Sequence, residues 1–558
     1  MRKRKTLHIF GISMLLSSLC IAGALSNPTK AENILNGPEM TDYMILINEE
    51  GEIETIDYDE IAPVAKPKAR AISTLSDSRI SYGVVYLNSK AHDGKAYLTF
   101  DNVSNPGYDG YVTGSYGKDA AYIGTYNGKV RAMQSGVVME FDARDVSIVD
   151  YSKADISHYY INDGYLYHKY FYGKSSSSAQ RVGYELDYMS EGKKYYSYDG
   201  HYFYTDYKTM IDDYQDGNRN HAINSQNPYY NYFQFLSHRS KTSITASQLD
   251  NITKDNSESS SKMRGLGSSY ISHQNTYGVN ALLMYGVSAN ESGWGESSIA
   301  MKKNNLFGHG AVDSNPYYGA NGYETPADSI KYHAEKFISN GYLDAEDWRY
   351  NGAHLGDKSS GVNVRYASDP YWGEKAASVY YYNDSGLDDY GKYTIGIIEG
   401  VQKGYKLYQS PSTSKVVHTI GSGKSPRTFN LPVIILGEVK DTKGKTWYKI
   451  QNDTALNASR TDLDYDSKYD FSRDYLYIPS DNVRIVKGTA QKTYLPGDVN
   501  GDDKVSSLDY IQIKNHIMKS KVLTGNSLTR ADVNKDGKVS SLDYIKIKNH
   551  IMGTNKLF

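Results

Sequence analysis

The sequence predicts a multidomain α+β chain in which a mainly α middle is flanked by small all-β barrels and followed by an all-α tail. Three observations predict it. Short alternating runs separated by glycine, asparagine and aspartate fill Ser81 to Tyr207 and recur beyond Tyr393. Helical apolar periodicity takes over in Ala281 to Gly308 and Ala327 to Leu343. Two near-identical segments, Asp498 to Ser520 and Asp532 to Thr554, close the chain at an offset of 34 residues. A length of 558 residues accommodates about three to five domains, each able to bury a core.

Composition removes several function classes. The formal charge of −2 leaves no basic excess for nucleic acid. Cys20 is the only cysteine and lies in an N-terminal stretch that reads as a secretory signal peptide: Arg2, Lys3, Arg4 and Lys5 precede an apolar run from Ile9 to Leu25 that is too short to span a membrane. Cleavage is expected after Ala24 or Ala31, leaving a secreted protein of the cell wall or extracellular surface with no membrane segment. Disulfides, zinc–thiolate sites and cysteine nucleophiles are then excluded together. The 55 tyrosines against 12 phenylalanines suit half-solvated surfaces such as carbohydrate grooves, and equally suit small barrels with thin cores.

In chain order, residues 1–31 are the signal and 32–80 an N-terminal segment with a proline- and lysine-rich linker at Ile61 to Ala71. Residues 81–150 alternate as a small antiparallel barrel, and 151–210 as tyrosine-rich hairpins with turns at Asn162-Asp163-Gly164 and Asp199-Gly200. Ser237 to Gly265 is polar enough to pass for a linker. The stretch Ala281 to Gly308 then starts as a helix burying one face through Val279, Leu282, Leu283, Gly286 and Val287, and Glu291 extends that face. A carboxyl there, near Trp294, is poorly solvated, which favours its neutral form and suits a general acid. Spacing alone leaves a second reading open, in which the helix ends early and Glu291 is an ordinary surface residue. Residues 393–488 form a second barrel interrupted by a polar insertion, Asp453 to Asp474, expected to be mobile. Gly421-Ser422-Gly423-Lys424-Ser425 is not a phosphate loop, because His418 stands where that motif needs glycine.

Three separated segments narrow the reading: Asn290-Glu291-Ser292-Gly293-Trp294-Gly295, Lys303-Asn304-Asn305-Leu306-Phe307-Gly308, and Tyr366-Ala367-Ser368-Asp369-Pro370-Tyr371-Trp372-Gly373-Glu374-Lys375. Residues 237–390, which hold them in that order, resemble the catalytic domain of endo-β-N-acetylglucosaminidases of glycoside hydrolase family 73, the bacterial autolysin type. The resemblance implies a lysozyme-like, mainly α fold that hydrolyses peptidoglycan after N-acetylglucosamine without a catalytic cofactor, with Glu291 protonating the leaving oxygen. Asp313 is the first choice for the second carboxylate, Glu324 and Asp369 are alternatives, and the substrate's own acetamido group is a further possible nucleophile. Trp294, Tyr366, Asp369, Tyr371 and Trp372 are expected to bind substrate. The upstream β blocks resemble modules that precede this domain in one autolysin subgroup, and 393–488 resembles a bacterial SH3-like wall-binding domain. A muramidase or lytic transglycosylase of the same fold, or a non-catalytic glycan-binding adhesion protein, remains the alternative.

The C-terminal repeat, residues 494–558, is legible without any family. Asp498, Asn500, Asp502 and Asp509, and again Asp532, Asn534, Asp536 and Asp543, occupy positions 1, 3, 5 and 12 of a calcium loop, with the carbonyls of Lys504 and Lys538 at position 7. Asp503 stands where a glycine normally turns the first loop, which weakens that site without abolishing it. With one following helix per loop and no entering helix evident, the arrangement resembles a type I dockerin, whose family partner is a cohesin on another protein.

Overall fold

The computed structural model describes residues 43–47, 53–57, 81–87, 97–172, 176–310, 320–382, 389–401, 404–420, 429–490, 496–502, 504–555 and 557. The signal peptide, the Ile61 to Ala71 linker, Asp313, Asp503 and the Gly421 to Ser425 run lie outside them. No helix among the described residues is long and apolar enough to cross a membrane.

A hairpin, Tyr43–Ile47 with Ile53–Asp57, comes first. A seven-stranded antiparallel sheet follows, ordered Gly110–Val112, Leu98–Asn102, Val137–Asp142, Lys129–Gln134, Asp119–Tyr126, Gly83–Leu87, Val146–Asp150. Alternate residues of all seven strands, among them Val85, Phe100, Val112, Val130, Met139 and Phe141, pack into one core. The other face of this sheet is covered as well: Val84, Ala121 and Met133 pack against Tyr198, Tyr204, Tyr207 and Met210. A three-stranded sheet, His158–Asn162, Tyr165–Tyr172 and Ser176–Tyr184, carries the next block. Its first hairpin turns on Asp163 and Gly164, both at positive φ (51° and 75°), the geometry of a two-residue turn matched to strand twist.

The helical middle is built around Ala281–Ser292. Asn280 caps it through its side chain, and every residue from Ala281 to Ala289 is buried, so the helix is not amphipathic as expected but a central element apolar on all sides. Gly286 is required there, because a Cβ would lie 2.1 Å from the hydroxyl of Tyr380, which donates to the carbonyls of Leu282 and Leu283 at 2.8 and 3.1 Å. The polar run Ser237 to Gly265 is no linker. Ser237, His238, Arg239 and Ser240 are buried, and Ala246–Asn256 is a helix started by a Thr245/Gln248 capping box. The expected helix Ala327 to Leu343 is α-helical over Pro326–Tyr332 and π-helical over His333–Tyr342, with His333 stacked on Phe307 at 3.7 Å.

A second seven-stranded antiparallel sheet, Val416–Thr419, Lys406–Tyr408, Tyr475–Pro479, Thr446–Gln451, Leu431–Lys440, Thr394–Ile398, Arg484–Lys487, has its own aliphatic core. Its insertion, Asp453 to Asp474, is docked where mobility was expected. Arg239 reaches it from the helical region, donating to the carbonyls of Asp453 (2.6 Å), Tyr277 (2.9 Å) and Gly278 (3.0 Å) with its guanidinium 3.9 Å from the Tyr469 ring centroid. A buried cation holding several neutral carbonyls fixes both segments, because releasing it strands all of those acceptors. The tail contains helices Ser507–Ile517, Gly525–Ala531 and Ser541–Ile551. The short middle one ends at Asp532 and so enters the second loop, a helix that sequence periodicity did not reveal because seven residues show barely two turns.

Candidate active site

Glu291 sits in the last turn of Ala281–Ser292, where the buried helix comes to the surface: Ala289 is buried, Asn290 exposed and Glu291 half-buried. The chain then leaves through Gly293, Trp294 and Gly295, all in the left-handed region at φ 54°, 61° and 81°. For tryptophan this conformation is strained. It is held by Ser261, whose hydroxyl donates to the Trp294 carbonyl at 2.5 Å, and by Lys262, whose N–H donates to the Gly295 carbonyl at 3.1 Å. The Trp294 ring meets Tyr285 edge-on at 6.1 Å.

Across from Glu291 stands the start of the helix Trp372–Tyr382. The indole N–H of Trp372 donates to Glu291 Oε1 at 2.6 Å, and the Trp372 ring stacks on Tyr366 at 4.4 Å. Asn290 Nδ2 lies 3.4 Å from the same carboxylate oxygen. Burial pushes the Glu291 carboxyl up to about 8, against the hydrogen bonds from Trp372 and Asn290, which favour the charged form, and with a smaller upward push from the Asp369 charge.

The other expected residues are placed unequally. Asp369 is buried and committed: its carboxylate accepts from Lys375 Nζ at 2.6 Å and from the Tyr371 N–H at 2.8 Å. Tyr366 is 1% exposed and serves as the floor under Trp372. Tyr371 turns the opposite way from Trp372, stacking on Tyr170 at 5.6 Å and meeting His168 at 4.8 Å. Glu324 is exposed, and its backbone carbonyl accepts from Asn304 at 3.0 Å. The Asn304 to Gly308 segment is tied down by Asn305, which accepts from the N–H groups of Phe307 and His309 and donates to the carbonyls of His309 and Asn321. Asn290, Glu374 and Lys375 stand inside the quoted sequence segments, yet sequence reasoning gave them no role in this neighbourhood. For Asn290, adjacency to Glu291 was the available signal.

The tail brings together Asp498, Asp502 and Asp509, and separately Asp532, Asp536 and Asp543, with one ligand atom from each within 4.8 Å of the others in its set. Such carboxylate triplets repel unless a hard cation joins them, so the donor sets fit calcium. Asn500 and Asn534 lie in the same loops, each donating to the neighbouring aspartate (Asp502, 2.9 Å; Asp536, 2.8 Å), and the N–H groups of Lys504 and Lys538 donate to Asp502 and Asp536. The aspartate at position 12 also has a local role. Asp509 and Asp543 each complete a capping box with Ser506 and Ser540.

Residues 267–385 match the family described as mannosyl-glycoprotein endo-beta-N-acetylglucosaminidase, and residues 496–552 match the dockerin type I domain. A Streptococcus pneumoniae serotype 4 protein with a provisional endo-beta-N-acetylglucosaminidase name is 35% identical over 44% of this chain and 32% of its own length. A Bacillus subtilis beta-N-acetylglucosaminidase is 32% identical over 29% of this chain and 19% of its own. The chain thus spans about a third or less of the curated relatives it matches. A crystal structure of S. aureus autolysin E is 22% identical, covering 27% of this chain and 71% of that one, with a TM-score of 0.23. With the first and third motifs meeting at Glu291 and Trp372 and with paired acidic loops at the end, the chain carries a glucosaminidase domain and a C-terminal type I dockerin domain.

Proposed function

We propose that this chain is a secreted endo-β-N-acetylglucosaminidase that hydrolyses the β-1,4 bond after N-acetylglucosamine in peptidoglycan, brought to a cohesin-bearing partner by its dockerin. The observation that carries the reading is Glu291, a half-buried carboxyl raised to about 8 and oriented by a 2.6 Å hydrogen bond from the Trp372 indole. At neutral pH it holds a proton, and a positioned acid that holds its proton can pass it to a glycosidic oxygen as the bond breaks. Glu291 is therefore the general acid. Asp313 is the proposed second carboxylate. Asp369, engaged by Lys375, helps instead by keeping the field at Glu291 negative. Trp294 and Trp372 are proposed to meet the glycan beside Glu291, with Tyr366 stacked beneath Trp372 and Tyr371 packed away from it on Tyr170.

The two β modules are proposed as SH3-like wall-binding domains fixed beside the cleft. In the tail, Asp498, Asn500, Asp502, Lys504 and Asp509, and Asp532, Asn534, Asp536, Lys538 and Asp543, would hold two calcium ions, which supply the charge that lets the acidic loops close. Digestion of purified peptidoglycan followed by identification of the new ends tests the whole reading. Reducing N-acetylglucosamine is expected. Muramic-acid ends would refute the bond assignment, and no products from folded protein would make the chain a glycan binder.

A further inference from the structure

The turn Ser368 to Glu374 carries Trp372 to Glu291, yet much of what grips this turn comes from far upstream, beyond the segment that matches the glucosaminidase family. The N–H of Thr113 donates to the Ser368 carbonyl at 3.0 Å. The hydroxyl of Ser135 donates to the Pro370 carbonyl at 2.6 Å. The Tyr371 ring lies so close to Gly117 that a Cβ there would come within 2.6 Å of it. Two residues beyond Trp372, Glu374 is 6% exposed, and its carboxylate accepts from both His168 Nδ1 (2.7 Å) and the Tyr159 hydroxyl (3.1 Å). The two partner rings stack on each other at 3.9 Å, and His168 has no exposed surface. Tyr371 and Trp372 therefore point to opposite sides of one turn, the first into the upstream sheets and the second at Glu291.

Given Glu291 as the acid, on which this inference rests, we infer that Glu374 is a positioning residue. By locking the first turn of Trp372–Tyr382 to His168 and Tyr159, it holds the indole N–H in line with the Glu291 carboxylate, so the upstream sheets belong to the active site. A buried carboxylate in the first helical turn is also favoured by the helix dipole, which makes the lock rigid. Displacing an orienting group by about 1 Å lowers turnover up to about 100-fold without removing any group that touches substrate.

The test uses the full chain labelled with fluorotryptophan, whose four tryptophans are assigned by single replacement. In the wild type, the fluorine resonance of Trp372 should follow the titration of Glu291 and lose that response in Glu291→Gln. Glu374→Ala should shift the resonance, weaken its titration and lower kcat about 10- to 100-fold with KM within about twofold. Glu374→Gln, which keeps a hydrogen bond to each partner, should recover most of the loss. A folded Glu374→Ala protein with an unmoved resonance and wild-type kcat overturns the inference. Should that variant not fold, Tyr159→Phe removes one of the two hydrogen bonds to the Glu374 carboxylate, and an unmoved Trp372 resonance with wild-type kcat there overturns it equally. The resonance is read without substrate. A wild-type chain that cleaves no glycan but whose Trp372 resonance still responds to Glu374→Ala therefore refutes the hydrolase reading, and with it the catalytic role of Glu374, while its hold on the Trp372 indole stands.

Discussion

Replacing Glu291 by glutamine should abolish turnover and make the protein more stable, with a pH dependence that follows from the site. Glutamine keeps the oxygen that accepts from Trp372 and loses only the ability to ionise. A carboxyl raised from 4.5 to about 8 costs about 5 kcal/mol more to ionise in the folded protein than in the unfolded chain. Partial solvent access reduces this to about 2–4 kcal/mol. Below pH about 4.5 both states keep the proton and the variant gains nothing. Between about 4.5 and 8 the unfolded chain alone releases it, so wild-type stability falls as pH rises; above about 8 the folded state ionises too and the difference levels off. Thermal unfolding at pH 4, 7 and 9 should therefore show near-equal midpoints at the lowest pH. By pH 9 the variant should gain about 5–10 °C in the transition that contains the helical region. A stability difference that is absent, or the same at every pH, would mean that Glu291 is well solvated and would remove the physical basis for calling it the acid.

Three further outcomes are expected. The pH–rate profile should have its alkaline limb near pH 8, where Glu291 loses its proton, and Trp372→Phe should move that limb to higher pH because the indole hydrogen bond stabilises the carboxylate; a limb that stays in place would separate the indole from the acid. Titration calorimetry with calcium should resolve a tighter event lost in Asp532→Ala and a weaker one lost in Asp498→Ala, since Gly537 makes the second loop's turn at φ 84° where the first has Asp503. Stripping calcium with a chelator should lower the tail's helical circular dichroism, and a spectrum indifferent to chelation would rule the loops out. Arg239→Ala should destabilise the chain by about 3 kcal/mol through its stranded carbonyl partners and open the 453–474 insertion to limited proteolysis; an insertion that stays resistant would place its anchor elsewhere.

Wherever local spacing alone brings side chains together, the sequence by itself determined their placement. The acidic loops are contiguous ladders, so alternate aspartates put their oxygens together whatever the rest of the chain does, and Asp498, Asp502 and Asp509 meet as their spacing requires. The position of Glu291 was legible for a similar reason, at the end of an apolar helix beside glycines. Long-range packing decided the rest. The Ala281–Ser292 helix turned out to be buried all round because Thr253, Tyr270 and Met263 cover Tyr285 and Ser288 on the side that periodicity left open. Ser237 to Gly265 and Asp453 to Asp474 look like polar connectors, yet Arg239 and Tyr469 bury parts of both against each other. Tyr371 and Trp372 are neighbours with one aromatic character in sequence, and only the turn between them sends one to the upstream sheets and the other to Glu291. The contact that sets this turn joins Glu374 to His168 across 206 residues, and no periodicity or motif spans such a gap. Burial pushed the Glu291 carboxyl up to about 8, and burial is a property of the assembled core, which the order of residues along the chain does not display.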